Sequence, residues 1–228
     1  MKERPILMNS AMVCATLAGT KTQTRRIIKL PPAPAALGEW QASTIGGENG
    51  GRTAAGNEVP LRAVIWHTRT GKTISCPHGQ PGDRLWVRET WVCDDFRVQA
   101  GPYLEVPGAR EALFYRADNE QSFEAPEGKY WKPSIHMPRW ASRILLEIVS
   151  VRVERLNDCS EADAIAEGVR KFTDSFMRGL PGWEGYPGAF ARPDAYTAYY
   201  DLWEKINGVG SWDANPWVWV IEFKRVTP

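Results

Sequence analysis

Residues 144–154 (Ile-Leu-Leu-Glu-Ile-Val-Ser-Val-Arg-Val-Glu) carry apolar side chains on both faces of an extended chain. A strand with one wet face alternates apolar and polar residues, and a strand covered on both faces does not. This run, the longest strand the sequence predicts, therefore belongs at the centre of a sheet. Every other segment is short and must be arranged around it.

Around that strand the pattern predicts an α+β domain of five to seven short strands and three helices spanning 1–228. Residues 5–9 read as extended. Ser10 reads as the N-cap of a helix with Met12, Val13 and Leu17 on one face, stopped by Gly19. The β-branched segment 22–28 follows as a strand. Residues 64–67 and 72–75 flank a Thr-Arg-Thr-Gly hairpin turn. Pro81-Gly82-Asp83 is a turn, and 84–91 alternates like a strand, with Leu85, Val87 and Glu89 on one face. A short strand is expected at 113–116. Ser160 with Asp163 makes a capping box for a helix ending near Gly168. Asp194 opens a helix carrying Tyr199, Leu202, Trp203 and Ile206 on one side, stopped by Gly208, and 216–224 closes the chain as a strand. Three Pro- and Gly-rich stretches, 31–60, 94–112 and 171–193, read as inserted loops.

The 28 basic and 27 acidic residues nearly cancel, so any contact with nucleic acid must come from a local basic patch. Four scattered cysteines without a CxxC pair read as reduced thiols, an amino terminus unlike a signal peptide adds to this, and no run approaches a membrane span. A cytoplasmic protein is expected, with no membrane partner and no obligate protein partner. Cys76-Pro77-His78 has no second ligand pair at zinc spacing, so no metal is expected; nucleotide-binding glycine motifs are absent, and no cofactor is implied. Eleven tryptophans fit core filling, with base stacking as the sharper alternative.

The segment Leu17-Ala18-Gly19-Thr20-Lys21-Thr22-Gln23-Thr24-Arg25-Arg26 resembles the opening motif of the ASCH family, a helix ending in Gly followed by Lys-Thr-x-Thr-x-Arg. Residues 81–91, 161–168 and 217–224 are similar to later family pieces in the same order. The segment His136-Met137-Pro138-Arg139-Trp140 is similar to larger members encoded in phages and prophages. The resemblance covers roughly half the chain and implies a PUA-like small β-barrel with flanking helices. It also implies dealings with RNA or modified nucleosides. Small bacterial members include amidohydrolases that deacylate N4-acetylcytidine with a Lys, a Thr and a Glu, and others are reported as ribonucleases. Carried over, these residues are Lys21, Thr24 and, through a short helix, Glu167.

The implied chemistry has Thr24 as nucleophile, Lys21 as its base and Glu167 as the acid for the leaving amine. Arg25 and Arg26 beside Lys21 would disfavour its ammonium form. On a strict strand Lys21 and Thr24 face opposite sides, so the scheme requires Lys21 in the turn with its side chain folded back. Thr22, Thr24 and Arg26 would line one cleft face. Arg26, Arg88, Arg143 and Lys132 are candidates for the basic patch. Glu89 is a candidate to pair with one of them or to accept from a cytosine amino group. Trp91 and His136 complete the candidate substrate contacts. Against the hydrolase stand two alternatives: a cleft that binds RNA or DNA without turnover, and a ribonuclease.

Overall fold

A computed structural model describes residues 1–31, 38–47, 51–93, 113–119, 130–177 and 180–226. In chain order its strands are β1 (Glu3–Leu7), β2 (Gln23–Ile27), β3 (Trp40–Ile45), β4 (Arg62–His67), β5 (Thr73–Ser75) and β6 (Arg84–Arg88). They continue as β7 (Trp91–Cys93), β8 (Leu113–Tyr115), β9 (Leu145–Arg155), β10 (Arg170–Met177), β11 (Leu180–Glu184) and β12 (Trp217–Val226). The helices are α1 (Ser10–Leu17), α2 (Glu161–Ala166) and α3 (Ala195–Asn207).

The two-faced apolar run becomes β9, the middle strand of a five-stranded sheet ordered β1-β6-β9-β12-β2. β1 runs parallel to β6, and the other pairings are antiparallel. Neighbouring β12 separates two cores. Trp219, Ile221 and Phe223 join Ile6, Leu85, Val87, Leu146 and Ile148 in one core. There Ile65 arrives from the second sheet, β3-β4-β5, and Val13 from α1. Val218 and Val220 point the other way and pack with Ala164 of α2 and with Ala198, Tyr199, Leu202 and Trp203 of α3. Each buried Val, Leu, Ile or Phe among them contributes about 1.5–3 kcal/mol, and the alternation along β12 holds the two layers on either side of one strand. Trp91, Trp203, Trp212 and Trp219 are all buried, so these four fill cores.

The mixed α+β class is present, and no closed barrel forms among the described residues. Among the described residues the strands form four separate sheets. β1 and β2 are the outer strands of the largest, and α1 links them in sequence. Between those two edges the Arg26 guanidinium donates to the Leu7 carbonyl at 2.6 Å, in place of a strand ladder. Twelve strands are described where five to seven were expected. Part of the surplus comes from stretches read as loops. Within 31–60 lies β3, an edge strand exposed at nearly every position; it is held by its ladder to β4 and has no buried face to mark it in sequence. Within 171–193, β10 and β11 pair antiparallel despite Pro181 and Gly182. Residues 94–112 lie outside the described residues. The 84–91 strand ends at Arg88, and Trp91 starts a new pairing with Tyr115. The N-cap of α1 is Asn9, whose side chain accepts from Met12 N at 2.9 Å, so Ser10 is the first helical residue. Among the described residues no helix is long and apolar enough to cross a membrane.

Candidate functional site

The α1–β2 turn places Lys21. Gly19 adopts φ +76°, the left-handed conformation that glycine takes without a Cβ penalty, and the Thr20 and Lys21 amides both donate back to the Ala15 carbonyl. The reversal expected at Gly19 is present. It aims the Lys21 side chain at the C-terminal end of α2, where the ammonium donates to both the carbonyl and Oε2 of Glu167, each at 2.8 Å. The two residues are 146 positions apart, and their side chains are 0% and 1% exposed. Thr22 N donates to Ala166 O and fastens the same junction.

Gly168 makes this approach possible. It sits at φ +93°, and a Cβ there would lie 2.9 Å from Ala15 Cβ and 3.0 Å from Lys21 Cβ. Both the backbone conformation and the space require glycine.

Arg25 shares the Glu167 carboxylate. Its guanidinium lies 3.4 Å from Glu167 Oε1, 3.2 Å from Glu154 Oε2 and 3.4 Å from Asp163 Oδ2, with the side chain 0% exposed. Arg152 extends the cluster by reaching Glu154, Asp163 and Glu222. Burial is the main force holding the Lys21 ammonium below the usual lysine range. Glu167 opposes it, and Arg26 and Arg25 add smaller pushes in the same direction as burial. The arginine neighbours read from sequence thus act, but desolvation acts more.

Thr24 is not part of this junction. The ladder pairs Thr24 with Ile221, whose side chain belongs to the core between the two sheets, and pairs Arg25 with Val220 on the helix side. Directly opposed residues of an antiparallel pair share a face. Thr24 is therefore turned away from the face that holds Arg25 and Glu167, and the Lys21 ammonium is committed to Glu167 instead. Thr22 and Arg26 share the Thr24 face by the same alternation; Thr22 is exposed.

A second group of expected contacts gathers elsewhere. Glu89 is 1% exposed and is gripped by Arg143 through two 2.9 Å bonds; Arg143 also reaches Asp118 at 2.8 Å and lies over the Tyr115 ring. Burial pushes the Glu89 carboxyl above its ordinary range against the pull of Arg143. That commitment leaves Glu89 occupied by an arginine rather than open to a base. Arg88 donates to Met137 O, Trp91 is buried edge-on to Trp140 with the Lys132 ammonium 5.3 Å from its ring, and His136 is exposed.

Beside the Lys21–Glu167 junction lies a cavity of about 600 Å³. One wall is the small-residue face of α1 at Ala11 and Ala15; the others are the stretch from Gly168 to Lys171 and the β11 end with Trp183, Glu184 and Tyr186. The volume falls within the range of small-ligand sites, about 300–1,000 Å³. Glu184 is buried and ion-paired to the largely exposed Arg170, and Lys171 places its ammonium 5.9 Å from the Trp183 ring. Sequence reasoning read Arg25 only as a charge beside Lys21 and Asp163 only as a cap, and it did not find Glu154 or this groove. The available signal was charge at alternate positions of an otherwise largely apolar strand, Arg152 and Glu154 on β9. No protein family, no curated protein and no solved structure matches this chain.

Proposed function

We propose that this chain is an ASCH-type, PUA-like domain that removes the acyl group from an N4-acylated cytosine nucleoside or a related modified base. The observation that carries this reading is the meeting of Lys21 and Glu167 at 2.8 Å, 146 positions apart in the chain, with their neighbours Thr20 and Gly168 lining a groove of nucleoside size. Trp183 and Tyr186 offer aromatic surface for a base in that groove. The buried ammonium, with its proton loosened by desolvation, is the donor to the leaving amine, and the Glu167 carboxylate takes the proton of the attacking water. Water replaces the Thr24 hydroxyl as nucleophile because Thr24 faces the other core. The amide C–N bond breaks, water supplies the new C–O bond, and a carboxylic acid and the free amine leave.

The test is amine release from a panel of N4-acylated cytosine nucleosides and bases. Lys21→Ala and Glu167→Gln are each expected to lower turnover by about 10²–10⁴-fold, with Thr24→Ala retaining it. Equal loss in Thr24→Ala would restore the hydroxyl as nucleophile, and a wild-type chain inert across the panel would remove the hydrolase reading. The near-complete burial of both charged side chains favours a second reading, in which the pair shapes the groove of a binding domain without turnover. Nucleoside or RNA binding without product formation is the outcome that selects it.

A further inference from the structure

A second cavity, of about 300 Å³, shares no lining residue with the groove. It lies where the start of β1, the β4–β5 sheet and the 79–83 turn meet, and Lys2, Arg4, Arg62, Ser75, Gln80 and Asp83 are among the residues that line it. Its one carboxylate is already engaged. Asp83 accepts from Lys2 N at 2.7 Å, Arg4 Nη1 at 2.9 Å and Gln80 N at 3.3 Å. Arg4 and Asp83 thus neutralise each other.

Lys2 and Arg62 are left over. Among the described residues neither side chain has a carboxylate partner, and Arg62 Nε is a buried donor with nothing to donate to. A buried donor without an acceptor costs about 1–3 kcal/mol, so an occupant that supplies the acceptor is favoured. We propose that this cavity binds a phosphate dianion, with the Arg62 fork and the Lys2 ammonium as its two charge partners. The two uncommitted side-chain cations match a doubly charged anion. Arginine supplies directional paired donors, lysine supplies a mobile point charge, and the Ser75 hydroxyl and Gln80 amide line the same space. The site is independent of the deacylase reading and would stand if that reading fell.

The phosphate is either a free anion or the monoester end of a small metabolite. Calorimetric titration of the full chain with inorganic phosphate, ribose 5-phosphate and ribose, at fixed ionic strength, separates these sources. Both phosphates are expected to bind and ribose is not, with the monoester tighter if it is the natural occupant and equal affinity if the free anion is. Arg62→Ala and Lys2→Ala are each expected to raise Kd by about tenfold or more, with Arg62→Lys recovering part of the loss. Should Arg62→Ala fail to fold, Arg62→Gln and phosphorus NMR line broadening on the wild-type chain give the same readout. The proposal is overturned if the wild type binds neither phosphate at tens of millimolar, or if Arg62 and Lys2 variants bind as it does.

Discussion

Lys21 and Glu167 stabilise each other only as a pair. Removing one partner of a buried ion pair leaves an uncompensated charge and costs about 3–5 kcal/mol. Lys21→Met is expected to show that loss in denaturant unfolding, and Lys21→Met combined with Glu167→Gln to cost less than the sum of the single changes. Gly168→Ala is expected to be as damaging as its size is small, since the new methyl meets Ala15 and Lys21 at 2.9 and 3.0 Å in a left-handed backbone. Lys21 was reached through resemblance, and the Gly19 turn that places it is written in the sequence. Glu167 was reached through resemblance too, and nothing local announces that a carboxylate at the end of a six-residue helix faces inward. The Arg25 contact with Glu167 was missed for a related reason: which face of β2 Arg25 occupies is decided by the ladder to β12.

At the level of elements, α2 and α3 are tied by a side chain rather than by packing alone. Glu161, in the first turn of α2, accepts from Ala195 N at 2.6 Å and Tyr196 N at 2.9 Å, while Asp194 caps Thr197 N at 2.7 Å. Together they satisfy three of the amides left open at the start of α3. Glu161→Ala and Asp194→Ala are each expected to cost about 1 kcal/mol, or roughly 2–4 °C in Tm. The caps were readable where chemistry is local: the Ser160–Asp163 capping box, Asp194 and Gly208 all stand where the sequence places them. β3 and the β10–β11 hairpin were not, because one lacks a buried face and the other runs through Pro181 and Gly182, residues that elsewhere stop strands.

Across the whole molecule, acid should weaken the fold in two separable windows. Burial, followed by the cations Arg26 and Arg4, pushes the His78 imidazole down from 6.5 to about 4. The unfolded chain takes up that proton first, so this contribution is complete above pH 6.5 and is lost as pH falls toward 4. For Asp163, burial works upward but is outweighed by the Ser160 hydroxyl and amide and by Arg25 and Arg152, leaving its carboxyl at about 2 against 3.8. Its contribution is present above 3.8 and lost as pH falls through 2. Unfolding midpoints measured against pH should lose the upper slope in His78→Gln and the lower one in Asp163→Asn. The central place of β9 was visible from its own eleven residues, whereas the charged junction draws on positions far apart in the chain. That distance has a consequence in time. Lys21 meets Glu167 across 146 positions, and Arg25 meets Glu154 across 129, and contacts of such span wait on slow chain closure. A refolding chain should therefore regain its helical signal well before it regains the ability to engage a ligand, and the two clocks should converge only at the last kinetic phase.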